Sequence, residues 1–133
     1  MFNFAEALAA NPNGVLATRD RAGLQTRVFQ YLFTENNRVF FCTSREKDVY
    51  KQLTANPEVS FCSSPPDFAP VVSVSGRAVF VDDQSLKARV LDENPMIKGI
   101  YKSPDNPVLA VFYIDVAEVK TFSFADGPGT YKL

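Results

Sequence analysis

The sequence predicts a mainly β domain: an antiparallel barrel, closed or nearly closed, with accessory helices. Three observations carry that prediction. Runs of alternating apolar and polar residues recur along the chain and are joined by short turn signals. Strands and helices do not alternate regularly, which sets the chain apart from βαβ folds. The 133 residues include 12 Phe and 5 Tyr, enough apolar bulk for one independent core. No repeat, linker or low-complexity stretch divides residues 1–133, so a single domain is expected.

The elements follow in order. Phe2 to Ala10 reads as a short helix with Phe4 and Leu8 on one stripe, ended by Asn11-Pro12-Asn13-Gly14. Val15–Thr18 is a strand, and Asp20-Arg21-Ala22-Gly23 turns it into a hairpin. Gln25 to Phe33 alternates as one strand, with Arg27, Phe29, Tyr31 and Phe33 on one face. Glu35-Asn36-Asn37 turns the chain into a third strand, Arg38–Cys42. The period then changes: Val49, Tyr50 and Leu53 follow helical spacing within Ser44–Ala55, and Asn56-Pro57 stops that helix. Val59–Cys62 resumes as strand, and Ser63-Ser64-Pro65-Pro66-Asp67 is a loop. Val71–Val81 is a long strand in which Gly76 marks a bend or bulge. A helix over Ser85–Asn94 is ended by Pro95. Val108–Ile114 is almost wholly apolar, reads as a central strand and continues through Phe124, after which Asp126-Gly127-Pro128-Gly129 leads into a tail. The total is about six strands and three helices.

Composition narrows the chemistry. The chain has no His, which removes Ser–His and Cys–His catalytic pairs, His-based zinc sites and a His haem ligand; no metal site is expected. Lys+Arg number 14 and Asp+Glu 15, a net charge of −1. That argues against a single-strand nucleic-acid barrel, despite aromatic strands beside Arg27 and Lys47. The charge is uneven: residues 1–51 carry seven basic and five acidic groups, the rest seven and ten. A basic first half suits a small anion better than a polyanion. Cys42 and Cys62 each follow a Phe and read as reduced, buried thiols. The first residues lack a basic leader, and no stretch reaches the roughly 20 apolar residues of a membrane helix, so the expected address is the cytoplasm, away from membranes.

Four stretches have the residue types for a site. Phe40-Phe41-Cys42-Thr43-Ser44-Arg45-Glu46-Lys47 reads as a strand, two hydroxyls and a helix start with cations in its first turn. Cations there are unfavourable beside the positive helix end unless an anion sits among them. The same residues also read as a capping box from Thr43 to Glu46. Arg27, on an aromatic strand face, is either a snorkelling side chain or a holder of an anionic ligand at the barrel mouth. Alternate serines in Val72-Ser73-Val74-Ser75 fit a wet strand face. Lys98 and Lys102 fit a solvated face, although Tyr101 between them could stack on a ring.

In this order the stretches resemble the pyridoxamine 5′-phosphate oxidase-like family of FMN-binding split barrels, most closely its small prokaryotic branch. The matching pieces run from Gly14-Val15-Leu16-Ala17-Thr18 through Thr26–Gln30, Val39–Ser44 with Lys47, Tyr50–Leu53 with Asn56–Val59, Val74–Ala78, and Asn94-Pro95 with Ile100–Pro107, to Ala110–Tyr113 and Phe122. The resemblance implies a six-stranded antiparallel split β-barrel and a homodimer with FMN at the subunit interface. By position, Arg27, Val28, Phe29 and Gln30 would border the isoalloxazine ring. Cys42, Thr43, Ser44 and Lys47 would bind the cofactor from the next strand and turn, with Thr43, Ser44 and Lys47 holding the phosphate and Lys51 one helical turn on. The implied function is FMN-dependent oxidoreduction between a small-molecule donor and acceptor; the alternative is a non-enzymatic flavin carrier. With no His, and with Ser73 where relatives often place Arg, the chain departs from the pattern that binds vitamin B6 substrates, and that oxidation is not expected.

Overall fold

The computed structural model describes residues 2–133. Eight strands form one antiparallel sheet: β1 (Asn13–Asp20), β2 (Gly23–Gln30), β3 (Phe33–Glu35), β4 (Arg38–Ser44), β5 (Glu58–Ser63), β6 (Val71–Val81), β7 (Leu109–Ser123) and β8 (Gly127–Lys132). The order is β2-β1-β5-β6-β7-β4-β3, with β8 pairing β7. Four helices accompany it: α1 (Phe4–Ala10), α2 (Asp48–Ala55), α3 (Gln84–Glu93) and α4 (Pro95–Tyr101). The mainly β antiparallel architecture is therefore as expected, and the short strands β3 and β8 are added to the six anticipated.

Strand alternation builds two layers. Val39 and Phe41 of β4 point to one side, with Leu16, Phe61, Val74, Phe112 and Ile114, and form the main core. Phe40 and Cys42 point to the other, where α3 and α4 cover them through Val90, Leu91 and Ile97. Because both faces of β4 are covered, the run Val39-Phe40-Phe41 is apolar without a break. Each fully buried Phe contributes about 2–3 kcal/mol of transfer free energy.

Several expectations need correction. The run Gln25–Phe33 is two strands. After Gln30 the Tyr31 N–H donates to the Pro12 carbonyl at 2.7 Å, and the Leu32 N–H donates to the Phe40 carbonyl at 3.1 Å. This offset sends Phe33 to the helix side, stacked on Phe40 with ring centroids 4.7 Å apart, while Phe29 and Tyr31 stay with the main core. Pro95 ends α3 but also occupies the first turn of α4, a position where its missing N–H costs nothing. The segment after Asp126 is no loose tail: β8 pairs with β7 from Gly127 to Lys132. Cys42 and Cys62 are free thiols, each mostly covered but not fully enclosed. Gly76 does mark a bulge, with the β6–β7 register shifting between Ser75 and Gly76.

Candidate functional site

The two cations singled out in the sequence meet across one cleft. Arg27 comes from β2 and Lys47 stands at the N-cap of α2; Val28, Phe29, Asp48, Val49 and Gln52 share the lining. Phe29 is held in the floor by edge-on contacts with Phe41 and Phe112. Val28 points the other way and is 71% exposed on the outer face.

The helix beside this cleft starts later than its spacing suggested. Thr43 and Ser44 continue β4, opposite Ala110 and Leu109 of β7, so the ladder takes the residues that would have made the capping box. Ser44 Oγ accepts from the Glu46 N–H at 3.2 Å, and the Lys47 N–H donates to the Ser44 carbonyl at 3.1 Å. Lys47 then has extended backbone, φ −83° and ψ 151°, and no side chain caps α2. Arg45 and Lys47 therefore precede the helix instead of filling its first turn. The first turn carries Asp48, the charge that the helix dipole favours there.

Arg27 is anchored on three sides. Its Nη1 donates to the Leu16 carbonyl at 3.2 Å and to Thr18 Oγ1 at 2.9 Å, and its Nη2 donates to Gln52 Oε1. Thr18 Oγ1 also donates to Gln52 Oε1 at 3.0 Å. Gln52 Nε2 donates to Asp20 Oδ2 at 3.2 Å. Burial lowers the affinity of the Arg27 guanidinium for its proton, and the nearby Asp20 carboxylate raises it; the group remains a cation.

The other residues named from the sequence lie around the cleft. Gln30 is exposed at the end of β2, with Nε2 3.5 Å from Asn94 Oδ1. Cys42 faces the helix layer, packed with the Phe40 and Leu91 groups, and burial pushes its thiol up to about 11 while Lys47 opposes the shift. Lys51 borders a neighbouring cleft with Arg19, Arg21 and Gln52. Thr43 is buried, and its Oγ1 is the one buried side-chain polar atom without a partner among the described residues. Such an unpaired hydroxyl costs about 1–3 kcal/mol. Sequence reasoning did not single out Gln52, Thr18 or Asp20. The one available signal was a polar residue at 52, between Val49 and Leu53 on the inward face of α2.

An FMN phosphate needs several donors around one point. This cleft offers a guanidinium with N–H groups left over after its three hydrogen bonds, an ammonium on an exposed lysine and an uncapped helix start. The residues present fit the group.

The model of the family described as pyridoxamine 5′-phosphate oxidase matches residues 3–123. No curated protein matches the chain in sequence. Among solved structures, a NimC/NimA family protein from Clostridium acetobutylicum superposes with a TM-score of 0.86 at 24% identity, over 96% of this chain and 88% of that one. The General Stress Protein 26 from Bacillus anthracis gives 0.80 at 19% identity, over 99% and 100%. A pyridoxamine 5′-phosphate oxidase-related, FMN binding protein from Nostoc punctiforme gives 0.68 at 15% identity, over 96% and 86%. At these identities the structures establish the shared fold. The family match covers every element that builds the cleft, and on that ground the chain belongs to the pyridoxamine 5′-phosphate oxidase family.

Proposed function

We propose that the protein is an FMN-binding oxidoreductase acting as a homodimer, with the cofactor phosphate in the Arg27–Lys47 cleft. The observation that carries this reading is that Arg27, Lys47 and the uncapped start of α2 line one cleft. FMN supplies hydride and single-electron transfer on its own ring, so the protein can contribute binding and orientation without a histidine. Arg27 and Lys47 neutralise the phosphate, and β2 from Arg27 to Gln30 offers an edge for the flat ring. Thr43 and Ser44 set the path of the chain into Lys47. Lys51, one turn further along α2, adds positive potential next to the cleft.

The dimer reading is supported by the outer face of the sheet. Leu24 and Val28 of β2 are 74% and 71% exposed, and Val15 of β1, directly opposite Val28, is 43% exposed. Next across the sheet come Cys62 and Ser73, small enough for close approach. An apolar face of this kind is what a second copy would cover.

Reconstitution tests the proposal. Purified protein incubated with FMN should retain it through gel filtration, show flavin absorbance and scatter light as a dimer. Failure to retain FMN would sink the reading. Oxidation of NADH or NADPH with a panel of acceptors then separates the enzyme from a carrier, because a carrier holds the flavin without turnover. No helix among the described residues is long and apolar enough to cross a membrane, and a cytoplasmic address remains part of this proposal.

A further inference from the structure

We propose that Gln52 is a positioning residue that keeps Arg27 and Asp20 apart, so that the Arg27 charge stays available to an anionic ligand in the cleft. The inference rests on reading that cleft as an anion site.

The carboxamide lies between an obligate donor and an acceptor. Arginine can only donate hydrogen bonds and an ionised carboxylate can only accept them, so Gln52 fits one way round. Its Oε1 receives Arg27 Nη2, and its Nε2 donates to Asp20 Oδ2 at 3.2 Å. Asp20 is fixed on its other side, where Oδ1 accepts from the Ala22 N–H at 2.8 Å and from Gln25 Nε2 at 3.4 Å. The carboxylate is close enough to act on the Arg27 charge. Yet the ion pairs among the described residues involve Lys87, Arg89 and Lys120, not Arg27.

The chemistry explains what a glutamine does there. A direct Arg–carboxylate pair forms strong, often bidentate hydrogen bonds. It would occupy the remaining guanidinium donors and cancel the charge that a phosphate requires. A neutral amide satisfies both groups and neutralises neither. Because Gln52 is on α2, one turn after Asp48, it also sets the distance between Arg27 and the start of that helix.

The test is Gln52→Met, which keeps the length and removes both hydrogen bonds, with FMN as the probe. The expected result is FMN binding weakened at least tenfold, and restored to within threefold of wild type in the Gln52→Met/Asp20→Asn double variant. A purely structural role for Gln52 would not be rescued by changing Asp20. Unchanged affinity in Gln52→Met, or a loss that Asp20→Asn leaves in place, overturns the proposal. If Gln52→Met does not fold, Gln52→Glu is read instead: its carboxylate would pair with Arg27, and wild-type affinity in it overturns the proposal equally. A crystal structure of folded Gln52→Met without ligand should show Arg27 and Asp20 within ion-pair distance; finding them still separated is also contrary. Wild-type protein that fails to bind FMN defeats the proposed function instead, and the crystal structure still decides the role of Gln52.

Discussion

Phe29 meets Phe41 edge-on, with ring centroids 6.0 Å apart and planes at 76°. The two rings come from β2 and β4, which share no hydrogen-bonded ladder in the sheet order. The barrel is therefore held by aromatic packing where its backbone pairing is split. Phe29→Ala should lower stability by about 2–4 kcal/mol, read as a shifted midpoint in chemical denaturation. Phe29→Leu should cost less than about 1.5 kcal/mol. Equal losses in the two variants would show that the ring itself, not its apolar bulk, is what holds the contact.

Lys47 makes a cleaner functional probe. Its side chain is exposed, and the backbone of the turn, not the ammonium, makes its local hydrogen bonds. Lys47→Ala should weaken FMN binding by about 10- to 100-fold, the range of a lost charge-assisted hydrogen bond. The melting temperature without ligand should hardly move. Fluorescence titration with FMN and a thermal melt on the same sample check both halves.

Cys42 gives a pH-dependent signature. Burial raises its thiol from the ordinary 9.0 to about 11. The raised value favours the neutral form in the folded state, so this contribution to stability is complete below about pH 9 and is lost as pH rises through about 11. At pH 8 the folded thiol should react with iodoacetamide roughly 100-fold more slowly than an unperturbed cysteine. Mass spectrometry of labelling at Cys42 over a pH series measures this directly. Rapid labelling at pH 8 in the folded protein would contradict the assignment.

Gly76 sits at the β6–β7 bulge, where an added Cβ would collide with the Asp115 carbonyl oxygen. Backbone cannot step aside as a flexible side chain can. Gly76→Ala should therefore destabilise the fold by about 1–3 kcal/mol. Denaturant melts of Gly76→Ala and Gly99→Ala make the comparison, since a Cβ at Gly99 meets nothing.

The limits of sequence reading are physical. β6 was legible to the residue, Val71–Val81, because alternation and a turn residue agreed along it. The start of α2 was not. Thr43-Ser44-Arg45-Glu46 satisfies a local capping rule, but the ladder to Ala110 and Leu109 holds Thr43 and Ser44 in the strand. Tertiary pairing overrode a local preference. α4 was hidden because proline both stops one helix and starts the next. In the site, charge marked Arg27 and Lys47. Gln52 was overlooked because its meaning depends on two residues from a different hairpin, 25 and 32 positions away.

The strand β7 has one further consequence. It pairs with β6 from Val111 to Phe122, with β4 from Leu109 to Asp115 and with β8 from Glu118 to Ser123. Residues 111–115 and 118–122 are laddered on both sides, whereas β2 at the end of the sheet is laddered only to β1. In heavy water the amides of β7 should be the last to exchange, and those of β2 among the earlier ones. That order of exchange would mark a stiff spine and a compliant rim. The rim is where the cleft lies, so a guest that docks there can tighten β2 while the spine stays still.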